Sequence, residues 1–348
     1  MLPVFRSMSS VASFCGLLIG LLCLPLLTAW IGHPPREQAY AGTTVEAGPI
    51  GTTVREIFRD PSDADVLFLG SSLVRAGVDE PMVEQALSSH LGRPAHVDML
   101  SLNWQGMDLQ YFLLRDYLNR HHAGLVVWNL PVPGSRSLEP HVEAFRWVRF
   151  GEYSDALSGL PLRYRMALYS DMVLGAPREL LSHLRSNLLS KDEINNQLLP
   201  EKAGYYGRPF VPEPVDSAMI PTLDQSYEVP PYPLVHVTGK PLTPYEEHFA
   251  RKIMELAKEK HTEIVLLHIP IDSEQGLDYM PERVNWVGAL QTDAPMIGAP
   301  SSVVFKSVDK ARSHDFYRDQ HLNFNGSVLF TRSLIPALLE AYDNREKY

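Results

Sequence analysis

A serine near the start of this 348-residue chain, Ser72, and a histidine near its end, His321, are of types that can do covalent chemistry together. A serine hydroxyl is a weak nucleophile at neutral pH. It needs an imidazole within hydrogen-bond reach to take its proton, and the imidazole needs an acceptor on its other nitrogen to hold its tautomer and stabilise the cation that forms. Asp319, two residues before His321, supplies that acceptor from the same stretch. Acyl chemistry also needs donors aimed at the oxyanion of a tetrahedral intermediate. The backbone N–H of Ser72, the N–H of Gly106 and the side-chain amide of Asn129 are suited to that task.

The elements that must position these residues read as follows. Val66-Leu67-Phe68-Leu69 is a run of apolar residues with β propensity, so 65–69 is expected as a buried strand. Gly70 is expected to turn the backbone, and Ser71 and Ser72 then emerge at the carboxyl end, where open α/β sheets bind ligands. The competing reading is that the two serines only cap a turn. A helix is expected over 80–91, a strand over 96–100, an amphipathic helix over 107–120 and a third buried strand over 124–130, ending on Asn129. This alternation implies right-handed crossovers and a doubly wound parallel sheet, the α/β class.

The rhythm then breaks. Residues 131–244 are expected as an insertion covering the crevice, with helix-like runs at 164–174 and 178–189 and a proline-rich, irregular stretch from 205 to 244. Its tyrosines, among them Tyr205, Tyr206, Tyr227 and Tyr232, suit either a sugar platform or plain loop packing. The α/β pattern resumes with a helix at 244–260, a strand at 263–269, a short strand at 303–305 and a final helix at about 326–342. The loop entering that last helix carries Asp315, Asp319 and His321, and in a doubly wound sheet it can sit beside the loop after the first strand.

Val11 to Ile31 carries no charge, and at about 1.5 Å per residue it spans roughly 30 Å, the thickness of a bilayer's hydrocarbon core. The expectation is a membrane anchor at 11–31, preceded by a short cytoplasmic end at 1–10 and followed by a tether at 32–62 and an exported body at 63–348. Arg6 ahead of the span favours this orientation. Ala39-Tyr40-Ala41 resembles a signal-peptidase site, but the apolar run is long for a secretory signal, which favours an uncleaved anchor. Both cysteines, Cys15 and Cys23, lie in that run, so the exported part holds neither a disulfide nor a thiol nucleophile. A net charge of −10 and the absence of a basic stripe argue against nucleic acid as a partner.

Gly70-Ser71-Ser72-Leu73, then Gly106, then Asn129, then Asp319 with His321-Leu322-Asn323 and Gly326, resembles the four ordered blocks of the SGNH hydrolases, the GDSL-type esterases and lipases. The resemblance covers the strands of 65–130 and 263–342. It implies a flavodoxin-like three-layer fold, Ser72 as nucleophile, Gly106 and Asn129 as oxyanion donors, and His321 as base with Asp319 behind it. In two places the chain departs from the family pattern. Ser71 stands where an aspartate is usual, and acid and base are commonly three residues apart, a place that Arg318 occupies here. Asp315 therefore stays open as the orienting acid. Membrane-anchored members that accompany cell-surface polysaccharide or teichoic-acid acylation show similar Gly-Ser-Ser and His-Leu-Asn blocks. That likeness implies cleavage or transfer of acyl esters, acetyl above all, on an exported glycan, beside a multi-pass membrane acyltransferase.

Other readings compete. Metal ligation by His121-His122 or by His314, Asp315, Asp319 and His321 is disfavoured, since adjacent histidines point apart in regular structure; no metal and no cofactor are expected. His268 reads as a satisfied crevice or core histidine. The alternative to an enzyme is an anchored glycan-binding or scaffold protein that keeps the hydrolase fold.

Overall fold

A computed structural model describes residues 7–31, 36–41, 50–103, 106–129, 148, 158–170, 234–237, 242–282, 294–306, 308, 315–318 and 320–345. Two compact units emerge: residues 1–43 with 142–196, and residues 44–141 with 197–348.

The second unit is built on a five-stranded parallel sheet. Its strands are β1 (Ala64–Ser71), β2 (Val97–Leu102), β3 (Ala123–Asn129), β5 (Glu263–His268) and β7 (Met296–Gly298), in the spatial order β2-β1-β3-β5-β7. Helices cover both faces, so the chain is α/β, and the order is consistent with a flavodoxin-like sheet. Being covered on both faces explains why β1 and β3 read as continuous apolar runs. Val66, Phe68, Leu125, Val127, Val265 and Leu267 pack on one face against Leu73 and Val74 of α4 (Ser72–Gly77), Val83 and Leu87 of α5 (Glu80–Leu91) and the last helix, α9 (Phe324–Asn344). The opposite face carries α6 (Met107–Leu118) and α7 (Pro244–Glu259), which touch each other and the sheet. There Trp128 is fully buried and its indole N–H donates to Gln110 Oε1 at 2.7 Å.

Local chemistry starts and stops these helices. Asp79 accepts from the Met82 N–H at 3.1 Å and Pro81 follows in the first turn of α5, which ends at Gly92 with φ 66°. Thr243 and Glu246 form a reciprocal capping box on α7.

Several sequence expectations need correction. The chain becomes helical at Ser72, directly after β1, and not first near Glu80. Gly70 lies inside β1 with no positive φ, so it does not make a turn. The strand expected at 303–305 is a helical turn, α8 (Ser301–Val304). The edge strand is instead Met296–Gly298, three residues between Pro295 and Pro300 that carry too little pattern to read. The stretch read as a tether contains α2 (Arg36–Ala41) and α3 (Ile50–Phe58). In α3, Ile50, Val54 and Ile57 recur at helical spacing and are buried, and the helix packs on α6 and β2. Most of the expected insertion, 131–244, lies outside the described residues. Within it, 162–170 is helical, and Leu234–Val237 forms a strand, β4, parallel to β6 (Met280–Glu282), where irregular chain was expected.

In the first unit, Met8–Ile31 forms one helix, α1, without a charged residue. Its described side chains end at Cys23, and among the described residues no helix is long and apolar enough to cross a membrane. The span expected at 11–31 is therefore not shown.

Candidate active site

The carboxyl ends of β1 and β3 are adjacent, with Leu69 opposite Trp128, and the chain leaves them in opposite directions to β2 and β5. This is the switch point at which open α/β sheets form a crevice. Ser72 and Asn129 stand on it, one just past β1 and the other the last residue of β3.

The two serines of the pair are placed differently. Ser71 is the N-cap of α4, its hydroxyl accepting from the Leu73 N–H at 3.4 Å. Ser72 is the first helical residue, nearly buried, and its Oγ lies 2.9 Å from His321 Nε2 across 249 positions of sequence. That distance is within reach for proton transfer from hydroxyl to imidazole.

His321 is held by a short antiparallel hairpin, β8 (Tyr317–Arg318) with β9 (His321–Leu322), in which Arg318 is opposite His321. Leu322 is buried beneath it, and Asn323 fixes the junction with α9. The Asn323 N–H donates to the Phe316 carbonyl at 2.9 Å, its side-chain amide donates to the Asp315 carbonyl at 2.6 Å, and its Oδ1 caps α9 through the Gly326 N–H at 3.0 Å. Gly326 is required by close approach: a Cβ there would stand 2.3 Å from the Phe316 carbonyl oxygen. The serine and histidine elements are also tied at a distance from the site. The Asp79 N–H, just beyond α4, donates to Thr331 Oγ1 of α9 at 2.9 Å, and Thr331 is fully buried.

Asn129 follows Val127 by two residues and so shares its face of the sheet, the face that α4 and α9 cover. Its amide nitrogen donates one proton to the Leu267 carbonyl at 3.0 Å. That bond fixes which end of the amide is nitrogen, because exchanged atoms would set two carbonyl oxygens together, and it leaves the second N–H for another acceptor. Asn129 Oδ1 is buried without a hydrogen-bond partner. Gly70 is what lets this residue sit so close: a Cβ there would lie 2.4 Å from Val74 Cγ2 and 2.9 Å from Asn129 Cβ. Gly106 is buried at the N-cap of α6, so its N–H lies outside that helix's own hydrogen bonds, at the positive end of the helix dipole.

The structure therefore brings Ser72 and His321 together and sets Asn129 on the same rim, while Gly106 opens the helix after neighbouring β2. Of the two candidate acids, Asp319 lies outside the described residues. Asp315 has an exposed side chain, and its backbone carbonyl takes the Asn323 amide. The capping role of Asn323 escaped the sequence reading, which took the residue only as part of the His-Leu-Asn block, although an asparagine directly before a helical run is a legible cap signal. So did the pair Arg75 and Asn103: the Arg75 guanidinium, one turn along α4, donates to Asn103 Oδ1 just past β2.

The other titratable residues serve elsewhere. His121 Nε2 bonds to the Ile57 carbonyl at 2.9 Å and its ring packs on Tyr117. His268 Nε2 lies 3.1 Å from Glu274 Oε2, both buried. Among the described residues no cluster of three or more His, Cys, Asp or Glu could hold a metal ion; His314 is outside them. An acidic group surrounds Asp98 on edge strand β2, whose carboxylate accepts from Tyr117 Oη at 2.6 Å. Burial, and then the charge of Asp98, hold the Glu56 carboxyl well above its usual range and push that of Glu80 up to about 7.

Compared with known proteins, the chain matches no family model and no curated sequence.

Proposed function

We propose that this protein is an exported, membrane-anchored serine esterase or O-acyltransferase of the SGNH type, acting on acyl esters, acetyl in particular, of a cell-surface or exported polysaccharide. The observation that carries this reading is the 2.9 Å approach of Ser72 Oγ to His321 Nε2 at the sheet's switch point. In the proposed reaction, Ser72 Oγ attacks the acyl carbonyl carbon as His321 takes its proton. The oxyanion that forms is met by the N–H groups of Ser72 and Gly106 and the free amide proton of Asn129. Collapse expels the alcohol, which leaves with the proton from His321. Water or a glycan hydroxyl then attacks the acyl-enzyme, giving hydrolysis or transfer, and Asp319 or Asp315 orients the imidazole.

Anchoring is part of the same proposal. The large exposed apolar residues of α1 include Phe14, Leu17, Leu18, Ile19, Leu21 and Leu22, which cover more than half the circumference of a helix that carries no charge, a pattern suited to hydrocarbon. A multi-pass membrane acyltransferase as donor of acyl groups fits an anchored transferase.

The test is turnover of a small activated acetyl ester by the full chain in detergent. Hydrolysis that Ser72→Ala and His321→Ala each abolish supports the proposal. Equal turnover by wild type and both variants would overturn it and favour an anchored glycan-binding protein. Acetyl content of exported polysaccharide separates the two activities: a loss on gene deletion means transfer, and a gain means removal.

A further inference from the structure

We infer that Arg75 is a positioning residue that fixes the spacing between the two backbone donors of the oxyanion hole, acting through Asn103. The inference rests on the proposed role of Ser72 and deepens it. Ser72 and Gly106 belong to different connections, one leaving β1 and the other leaving β2. The strand register sets Ser71 opposite Leu102, so Ser72 and Asn103 leave the sheet side by side. One connection runs into α4 and the other into α6. Helix α4 has only six residues, too few for its own hydrogen bonds to hold it, and Gly106 has no side chain with which to cap α6.

Arg75 spans this gap. It lies three residues after Ser72, on the adjacent turn of the same helix face, and donates from Nη2 to Oδ1 of Asn103. Asn103 is buried, stands one residue past β2 and precedes Gly106 by three. A charge-assisted bond from a planar guanidinium to a buried acceptor is a stiff link. It joins the helix that begins with the nucleophile to the loop that ends in the second donor. A shift of α4 relative to that loop would open the hole without removing any donor, so the oxyanion would be met at the wrong distance.

The experiment is fluorophosphonate labelling of the full chain, followed by mass spectrometry at Ser72. In that reaction the Ser72 Oγ–P bond forms as the P–F bond breaks, fluoride leaves, and the hydroxyl proton passes to His321. The developing phosphoryl oxyanion uses the same donors as an ester. Arg75→Ala is expected to slow labelling by about 10- to 100-fold, short of the loss for deleting a donor outright. Arg75→Lys, which keeps a cationic donor, is expected to recover part of the rate. Asn103→Asp, which keeps the acceptor, is expected to stay near wild type. Asn103→Leu should add little to Arg75→Ala, the non-additivity of two partners in one link. If Arg75→Ala does not fold, as judged by its melting transition, the comparison of Asn103→Asp with Asn103→Leu carries the same test. Labelling at the wild-type rate in Arg75→Ala or Asn103→Leu, or effects of the two that simply add, would overturn the link while leaving Ser72 as nucleophile. A wild-type protein whose Ser72 takes no label would remove both readings at once.

Discussion

Replacing Gly70 by alanine isolates the packing that holds the site together. The backbone there is ordinary strand with no positive φ, so the added methyl costs nothing in conformation and its whole effect is contact. It would stand 2.4 Å from Val74 Cγ2 and 2.9 Å from Asn129 Cβ. Ordinary carbon contacts sit at about 3.5–4.0 Å, so the Val74 methyl would have to retreat by about 1 Å. Val74 is fully buried and, as a β-branched residue in a helix, has one favoured rotamer, so α4 must move as a body and carry Ser72 with it. Asn129 is pinned by its backbone and by the Leu267 carbonyl. Overpacking of this kind costs about 1–3 kcal/mol of stability. The misplacement of nucleophile against donor should lower turnover by about 100-fold. Urea unfolding and ester turnover of the same preparation give both numbers, and Val74→Ala in the Gly70→Ala background should restore part of the rate by removing the nearer clash. Unchanged stability and turnover in Gly70→Ala would refute the reasoning.

Other outcomes follow from the geometry. Asn323→Ala removes the cap of α9 and the bond to the Asp315 carbonyl, so the melting transition should fall by the equivalent of about 1–2 kcal/mol, with turnover reduced as His321 loosens. The Glu80 carboxyl is raised to about 7, mainly by burial. Between the unfolded carboxyl range and that value the folded protein binds more protons, so this group lowers stability as pH rises through the window, and the loss is complete above it. Glu80→Gln should therefore stabilise the protein by about 1–2 kcal/mol in unfolding at pH 8 and leave it unchanged near pH 4. For the orienting acid, Asp319→Asn is expected to lower turnover by about 10³-fold and Asp315→Asn by far less; the reverse ranking would assign the role to Asp315.

The sheet and the Ser72–His321 pair were legible because long-range geometry here follows from local pattern. Apolar runs ending in glycine, serine or asparagine can be little else than buried strands delivering polar ends, and a parallel sheet puts those ends on one rim. What was not legible depended on contacts that leave no periodic trace. Gly70 resembles a turn glycine until Val74 and Asn129 are seen against it, and β7 is a three-residue strand framed by prolines. Helix α3 hides its stripe of Ile50, Val54 and Ile57 among glycine and threonine, residues that usually mark linkers. The link from Arg75 to Asn103 joins residues 28 apart, and only the register of β1 on β2 brings them level.

The central claim is tested most directly by trapping the acyl-enzyme. Mixing the full chain with an activated acetyl ester, quenching in acid within a turnover and digesting for mass spectrometry should reveal an acetyl group on the peptide bearing Ser72. The adduct should be missing from Ser72→Ala and scarcely formed in His321→Ala. Acetylation confined to another residue, or equal acetylation of Ser72 with His321 replaced, would contradict the account.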